Sequence, residues 1–133
     1  ADTTILAGEY PGHETPDIAA ERLDALLAAG VSFIVDLTET RDGLVDYEEV
    51  LRTRPRGREV MRLRGSIPDM GVTDDARLAT IVDVVHRAAE SGTTTYLHCW
   101  GGIGRTGMVA ACVLVRRGMP VDDALAVVGA GYA

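Results

Sequence analysis

The sequence predicts an α/β fold in which a central, mostly parallel sheet of four to five strands is flanked by helices. Two observations predict it. Short apolar runs alternate with longer segments of helical periodicity, and glycines or prolines separate the successive runs. Strands that alternate with helices are typical of a parallel sheet. The length of 133 residues and the hydrophobic content of 47% fit one domain, which we assign to residues 1–133.

The first half of the chain predicts two strands around a helix. Residues 5–7 read as a short strand, and Thr15 is expected to cap a helix whose first turn contains Pro16. Gly30 is expected to end that helix. Residues 31–37 then read as a buried strand, and Asp36 within it needs a partner if it is buried. We interpret Asp36 as structural rather than catalytic.

The second half repeats the pattern. Its first predicted elements are a short helix (residues 44–51), a strand (60–63) and a long helix (74–91). They are followed by the strand before a glycine-rich loop (95–97), a long apolar helix (105–117) and a last helix (121–128). Because residues 108–115 are apolar on almost every side, the helix that contains them is expected to be buried all round. Tyr47 lies within the predicted short helix, and packing is a better interpretation of it than stacking on a substrate ring.

The charge is unevenly distributed. A net charge of −7 argues against nucleic acid as a partner. Six arginines lie close together in residues 52–64, beside one acid: Arg52, Arg54, Arg56, Arg58, Arg62 and Arg64. We interpret them as a solvated loop and strand. The open alternative is a patch that receives an acidic or multiply phosphorylated substrate.

Membrane and export signals are missing from the sequence as given. No apolar run reaches the ~18 residues of a membrane-spanning helix, so we expect no membrane partner. Residues 1–4 lack the basic start and apolar core of a signal peptide. We therefore expect a cytoplasmic location, where both cysteines stay reduced. Cys112 lies too far along its helix for an easy disulfide with Cys99 and is interpreted as a core thiol.

A cysteine, glycines and an arginine connect the strand at residues 95–97 to the apolar helix. The loop residues are Trp100, Gly101, Gly102, Ile103, Gly104 and Arg105, directly after Cys99. Glycines let backbone N–H groups converge, and the following helix adds its positive end, so the loop is expected to hold a phosphate. A thiol beside a helix N-terminus and a cation ionises readily, which predicts that Cys99 is a nucleophile. The alternative is a buried structural thiol beside a tight turn.

The motif His98-Cys99-x-x-Gly102-x-x-Arg105-Thr106 resembles the signature of the cysteine-dependent protein tyrosine phosphatase superfamily. The motif lies late in the chain, after a predicted strand and before a predicted helix, which resembles the dual-specificity-like branch of the superfamily. Within that branch the chain resembles small bacterial members of the kinase-associated-phosphatase type. The resemblance implies a phosphocysteine intermediate with no cofactor and no metal. It also implies that His98 orders the loop and supports the thiolate, and that Thr106 hydrogen-bonds the sulfur.

The same resemblance implies a general acid on the loop before the long helix, a place that Asp69 occupies. A positioned acid contributes about 10²–10⁴-fold to expulsion of the leaving group. Asp74 and Asp75 are competitors, although both fit better as acids in the first turn of the following helix. Relatives continue with further C-terminal helix, so this chain is either truncated at its C-terminus or an unusually minimal member.

The substrate is predicted from the variable loop positions, none of which is basic. Phosphoinositide phosphatases of this superfamily carry lysines there, so the lack of lysines argues against polyphosphorylated lipids or inositols. The small size and the dual-specificity-like layout imply, by resemblance, a shallow pocket for phosphotyrosine proteins, with phosphoserine and phosphothreonine as further substrates. Trp100 forms either an apolar wall for such a substrate or packing beneath the loop. The alternatives are a phosphatase of nucleotide, inositol or sugar phosphates, and a catalytically dead phosphate-binding module.

Overall fold

The computed structural model describes residues 5–38, 44–65, 75–99, 104–124 and 126. Its elements in chain order are β1 (Ile5–Gly8), α1 (Pro16–Ala28), β2 (Phe33–Asp36), α2 (Glu48–Thr53), a 3₁₀ turn (Gly57–Glu59), β3 (Met61–Arg64), α3 (Asp75–Glu90), β4 (Thr95–His98) and α4 (Gly104–Arg116). The predicted α/β class is confirmed. The short helix was predicted too early. Of the last predicted helix, residues 121–124 and 126 are helical, and residues 125, 127 and 128 lie outside the described residues.

The four strands form one sheet in the order β1-β4-β2-β3. Every pair is parallel, so all the carboxyl ends lie at the same edge. At that edge His98 is in register with both Gly8 and Asp36, and Asp36 is in register with Arg64. Since β4 has a neighbour on each side, the chain that leaves it emerges from the middle of the sheet.

The core is divided by the sheet into two apolar clusters. One cluster joins Val35 and Leu97 to the inner sides of α3 and α4, represented by Val85 and Val113. The other joins residues of the opposite sheet face to α1 and α2: Tyr10, Leu23, Val31, Ile34, Tyr47, Leu51, Val60 and Tyr96. Successive strand residues thus serve opposite layers, as the period of a strand requires. Among the described residues, no helix is long and apolar enough to cross a bilayer.

Three helices end on a glycine in the left-handed region. Gly30, Gly92 and Gly118 have φ values of 91°, 81° and 99°. After α1, for example, the N–H of Gly30 donates to the Leu27 carbonyl at 3.0 Å and that of Val31 to the Leu26 carbonyl at 3.1 Å. This pair of bonds satisfies carbonyls that the last turn leaves without helical partners.

The start of α1 corrects one prediction. Thr15 occupies the N-cap position, but its side chain makes no capping hydrogen bond. The Thr15 carbonyl instead accepts from the N–H groups of Ile18 and Ala19. Pro16 lies in the first turn, as predicted, where its missing N–H costs no hydrogen bond.

The prediction that the apolar helix is buried all round is wrong. On α4, Val109 and Val113 are buried, whereas Met108 is 36% and Val115 is 38% exposed. The helix packs against α3 and the sheet on one side only. An apolar sequence therefore did not determine burial here, because the number of layers that cover a helix is a tertiary property.

Two valines of α4 test this one-sided burial. Val113→Ala is expected to lower the free energy of unfolding by about 1–3 kcal/mol, because two buried methyl groups are lost and a cavity remains. Val115→Ala is the matched control, with the same chemical change on the exposed side and an expected effect within about 0.5 kcal/mol. Urea denaturation of both variants measures the difference, and equal losses would contradict the one-sided packing.

Candidate active site

The predicted nucleophile lies at the junction of β4 and α4. Cys99 follows the last residue of β4 and is 3% exposed, and α4 begins at Gly104. Arg105 and Thr106 are in the first turn of that helix and are buried as well. The structure thus brings the cysteine to the carboxyl edge of a parallel sheet and the arginine to a helix N-terminus, a combination suited to an anion.

Arg105 extends towards the neighbouring strand. Its Nη1 donates to the carbonyl of Leu37 at 3.5 Å, and Leu37 is the residue that directly follows β2. The Thr106 side chain is completely buried, and no residue in the described part of the chain hydrogen-bonds its Oγ1. Since a buried hydroxyl costs free energy when it lacks a partner, Thr106 has a polar atom available for the loop or for a bound group.

The protonation of His98 follows from its two hydrogen bonds. Nδ1 lies 3.1 Å from the Cys99 carbonyl, which can only accept, so Nδ1 carries the proton. Nε2 lies 2.7 Å from the Tyr47 hydroxyl. In the neutral imidazole this nitrogen accepts, so Tyr47 is the donor. His98 therefore holds the backbone of the cysteine from below as a neutral ring.

Burial keeps His98 neutral. The ring is inaccessible to solvent, and the rings of Tyr10, Tyr47 and Tyr96 surround it with centroids 5.4, 5.5 and 5.8 Å away. Loss of solvation lowers the pKa of His98 to about 4, although the carboxylate of Asp36 acts in the opposite direction. Burial also raises the pKa of Tyr10 to about 12, so the hydroxyl that donates to the Val45 carbonyl stays protonated.

Asp36 has the partner that its place in an apolar strand required. Its Oδ1 accepts from the Thr38 N–H at 2.9 Å and from the Thr38 hydroxyl at 2.5 Å. Its Oδ2 accepts from Arg62 at 2.6 Å. Burial acts to raise the pKa of Asp36, but the electrostatic interaction with His98 and the hydrogen bonds from Thr38 and Arg62 together lower it below its usual value. The structural interpretation of Asp36 agrees with this arrangement.

Part of the predicted site lies outside the described residues. That part comprises Asp69, Asp74 and the loop residues Trp100, Gly101, Gly102 and Ile103. Asp75 begins α3, where the sequence placed it.

Cys112 is partly buried, and both it and Cys99 are free thiols. Within the described ranges, no group of three His, Cys, Asp or Glu residues could hold a metal ion.

The arginine-rich segment is largely engaged within the chain. Arg52 pairs with Glu48 at 2.5 Å, and Arg54 pairs with Asp24 at 2.8 Å. Arg62 binds Asp36, as described above. Because these three arginines are paired with carboxylates of the same chain, they do not form a free cationic patch for a substrate, and the interpretation as a loop and strand fits them better.

Sequence reasoning missed how Tyr47 and Arg62 connect to the site. Tyr47 is completely buried, which rules out stacking on a substrate and agrees with the packing interpretation. The sequence did not predict the hydrogen bond between the Tyr47 hydroxyl and His98. Asp36 inside an apolar strand was a signal for a buried cation, but six arginines in one segment left the choice among them open.

The comparisons with known proteins agree with this geometry. The family model described as "Tc-R-P: Polymorphic toxin system, DSP-PTPase phosphatase" matches residues 9–119. A curated relative, cyclin-dependent kinase inhibitor 3 of Sus scrofa, is 39% identical over 49 residues. That match covers 37% of this chain and only 23% of the relative.

Two solved structures share the fold. P. aeruginosa TpbA in complex with pTyr has a TM-score of 0.69 at 23% identity, covering 92% of this chain and 65% of TpbA. PTPMT1 in complex with PI(5)P has a TM-score of 0.71 at 23% identity, covering 93% of this chain and 76% of PTPMT1.

The chain belongs to the DSP-PTPase phosphatase family, because the family model spans most of its length. The class predicted from the loop motif, a cysteine-dependent phosphatase of the dual-specificity-like branch, is confirmed.

The neutral state of His98 predicts acid sensitivity. Between its ordinary pKa of 6.5 and about 4, the unfolded chain binds a proton at this side chain that the folded chain does not. Stability therefore falls as the pH is lowered through this window, by on the order of 3 kcal/mol from His98 alone. Urea denaturation at half-unit pH steps measures it.

His98→Asn is the control for that experiment. The asparagine amide can still donate to the Cys99 carbonyl but does not titrate, so its stability should depend less on pH between 6.5 and 4. Equal slopes for the two proteins would contradict a neutral, buried His98.

Proposed function

We propose that this domain hydrolyses phosphotyrosine in proteins, with phosphoserine and phosphothreonine as further substrates, through a phosphocysteine intermediate. The observation that supports it best is the placement of Cys99 at the carboxyl edge of the sheet and of Arg105 in the first turn of α4, both of them buried. Five residues, 100–104, thereby connect a nucleophile to a cation that can bind an anion through two N–H groups. Phosphoryl transfer needs such positioning and charge stabilisation.

In the first step, the Cys99 thiolate attacks phosphorus, so that an S–P bond forms while the ester O–P bond breaks. The leaving oxygen takes a proton from Asp69. Arg105 and the N–H groups of residues 100–105 hold the three phosphoryl oxygens, over which the negative charge is spread in the transition state.

In the second step, water attacks the phosphocysteine and gives a proton to Asp69. The S–P bond breaks, inorganic phosphate leaves, and Cys99 returns to the thiolate. Thr106 is proposed to donate a hydrogen bond to the sulfur as it departs, a role for which its buried Oγ1 is available. His98 stays neutral and supports the Cys99 backbone throughout.

Two observations support protein substrates. TpbA, a structural neighbour, was crystallised with pTyr, and none of the variable loop positions here is basic. The alternative is a small phosphomonoester, favoured by the PI(5)P complex of PTPMT1. The internal ion pairs of Arg52, Arg54 and Arg62 weaken this alternative. Rates on a phosphotyrosine peptide, a phosphoinositide and a nucleotide separate the two classes.

A phosphate-binding module without turnover is less favoured, because Cys99, Arg105 and Asp69 are all retained. We also propose that the domain works in the reducing cytoplasm, since oxidation of the thiolate would stop the reaction. A single domain over residues 1–133 stays part of this proposal.

The mechanism predicts that Cys99→Ser abolishes turnover of p-nitrophenyl phosphate while vanadate binding persists. A serine hydroxyl fills the same place but is not ionised at neutral pH, so the anion site survives without its nucleophile. Cys112→Ser is the matched control and should keep nearly full activity. Steady-state rates and vanadate titration by calorimetry measure both properties, and turnover in Cys99→Ser would exclude the phosphocysteine route.

The assignment of the acid predicts a dependence on the leaving group. Asp69→Asn should reduce turnover of phenyl phosphate by about 10²–10⁴-fold, because phenolate then leaves without a proton. The loss should be much smaller for p-nitrophenyl phosphate, whose leaving group is stable as an anion. Asp75→Asn is the control. Equal losses of Asp69→Asn on the two substrates would move the acid role to another residue.

A further inference from the structure

Arg62 is a buried cation on an edge strand. Its side chain is only 8% exposed, although β3 has a neighbour on one side alone. The guanidinium donates to Asp36 at 2.6 Å, to Asp46 at 2.7 Å and to Glu48 at 3.4 Å. One arginine therefore holds β2 and the start of α2 against β3.

The same guanidinium contacts an aromatic ring of the site. Its Cζ lies 3.8 Å from the centroid of the Tyr47 ring, within the range of a cation–π contact. Arg62 therefore contacts two side chains, Asp36 and Tyr47, that both approach His98.

Tyr47 and Asp36 approach the same nitrogen of His98. The Tyr47 hydroxyl lies 2.7 Å from Nε2, and Oδ1 of Asp36 lies 3.9 Å from it. A neutral Nε2 accepts from Tyr47. A protonated Nε2 can only donate, and the opposite charge would draw it towards Asp36. His98 thus has two possible partners, and the charge on Asp36 decides between them.

We propose that Arg62 is a positioning residue for Cys99. It neutralises Asp36 and fixes the ring of Tyr47, so that His98 accepts from Tyr47 and holds the Cys99 carbonyl in place. The inference rests on the proposed function, in which Cys99 is the nucleophile.

The other groups around His98 leave Asp36 as the main opposing charge. The polar or titratable side chains that face it or act on it are Tyr10, Asp36, Tyr47, Arg62, Arg64 and Tyr96. Burial raises the pKa of Tyr10 and of Tyr47, so both hydroxyls stay neutral. Nε of Arg64 is 3.8 Å from Asp36 on a side chain that is 47% exposed. Arg62, at 2.6 Å and buried, is the closer counter-charge.

The test combines NMR titration of the His98 imidazole with steady-state kinetics on p-nitrophenyl phosphate. In Arg62→Met, which keeps an apolar contact with Tyr47, the His98 titration midpoint should rise by about one to three pH units, because Asp36 is left uncompensated. Below the raised midpoint, where most of the variant's His98 is protonated, kcat should fall by up to about a hundredfold relative to the wild type, since misplacement of a reacting group by 1 Å has that effect. KM should change less.

Three further variants separate charge from packing. Asp36→Asn combined with Arg62→Met removes both charges and should restore the His98 midpoint and most of kcat. Arg62→Lys keeps the charge and should keep the midpoint near that of the wild type. Arg54→Met is the matched control, because Arg54 lies in the same arginine-rich segment and pairs with Asp24 away from His98.

Two results would overturn the proposal. One is an unchanged His98 midpoint in Arg62→Met, and the other is a double variant that stays as impaired as Arg62→Met alone. If Arg62→Met does not fold, the double variant and Arg62→Lys decide, since a raised midpoint in either contradicts the proposal. The NMR readout requires no turnover. An inactive wild-type protein would therefore refute the proposed function and leave the coupling of Arg62 to His98 measurable.

Discussion

The parallel pairing of β4 with both β1 and β2 is the constraint on which the site depends. It places His98 between Gly8 and Asp36, in the middle of the sheet and away from water. The next residue, Cys99, emerges where the carboxyl ends of all four strands meet. Parallel sheets place their ligand sites at this edge because loops leave it and helices begin there. A nucleophile at the end of an edge strand would have support on one side only.

Burial at this place makes the polar groups beneath Cys99 depend on one another. A neutral His98 needs a donor at Nε2 and an acceptor at Nδ1, and Tyr47 and the Cys99 carbonyl provide them. Hydrogen bonds from Thr38 and Arg62 help to keep the buried Asp36 ionised. A buried polar group without its partner costs free energy, so a complete network favours one arrangement of the backbone that carries the nucleophile.

The position of the arginines shows how one residue type serves two purposes. Arg105 is at a helix N-terminus, where its charge adds to the helix dipole in attracting an anion. Arg62 and Arg54 instead bind carboxylates of their own chain. The net charge of −7 therefore does not describe the proposed site, where a phosphate would meet Arg105 and a helix N-terminus, whereas Arg54 and Arg62 are paired with carboxylates of the chain.

The sequence by itself determined the α/β class, the order of the elements, and the placement of Cys99 and Arg105 around a strand-to-helix loop. These features are local: apolar periodicity, helix-ending glycines and a motif within ten residues. Only the tertiary structure decided that α4 is buried on one side, and that Arg62 rather than another arginine neutralises Asp36. It also decided that Tyr47 binds His98. Such contacts join residues 26 to 51 positions apart, and strand order and register select them, which no local pattern encodes.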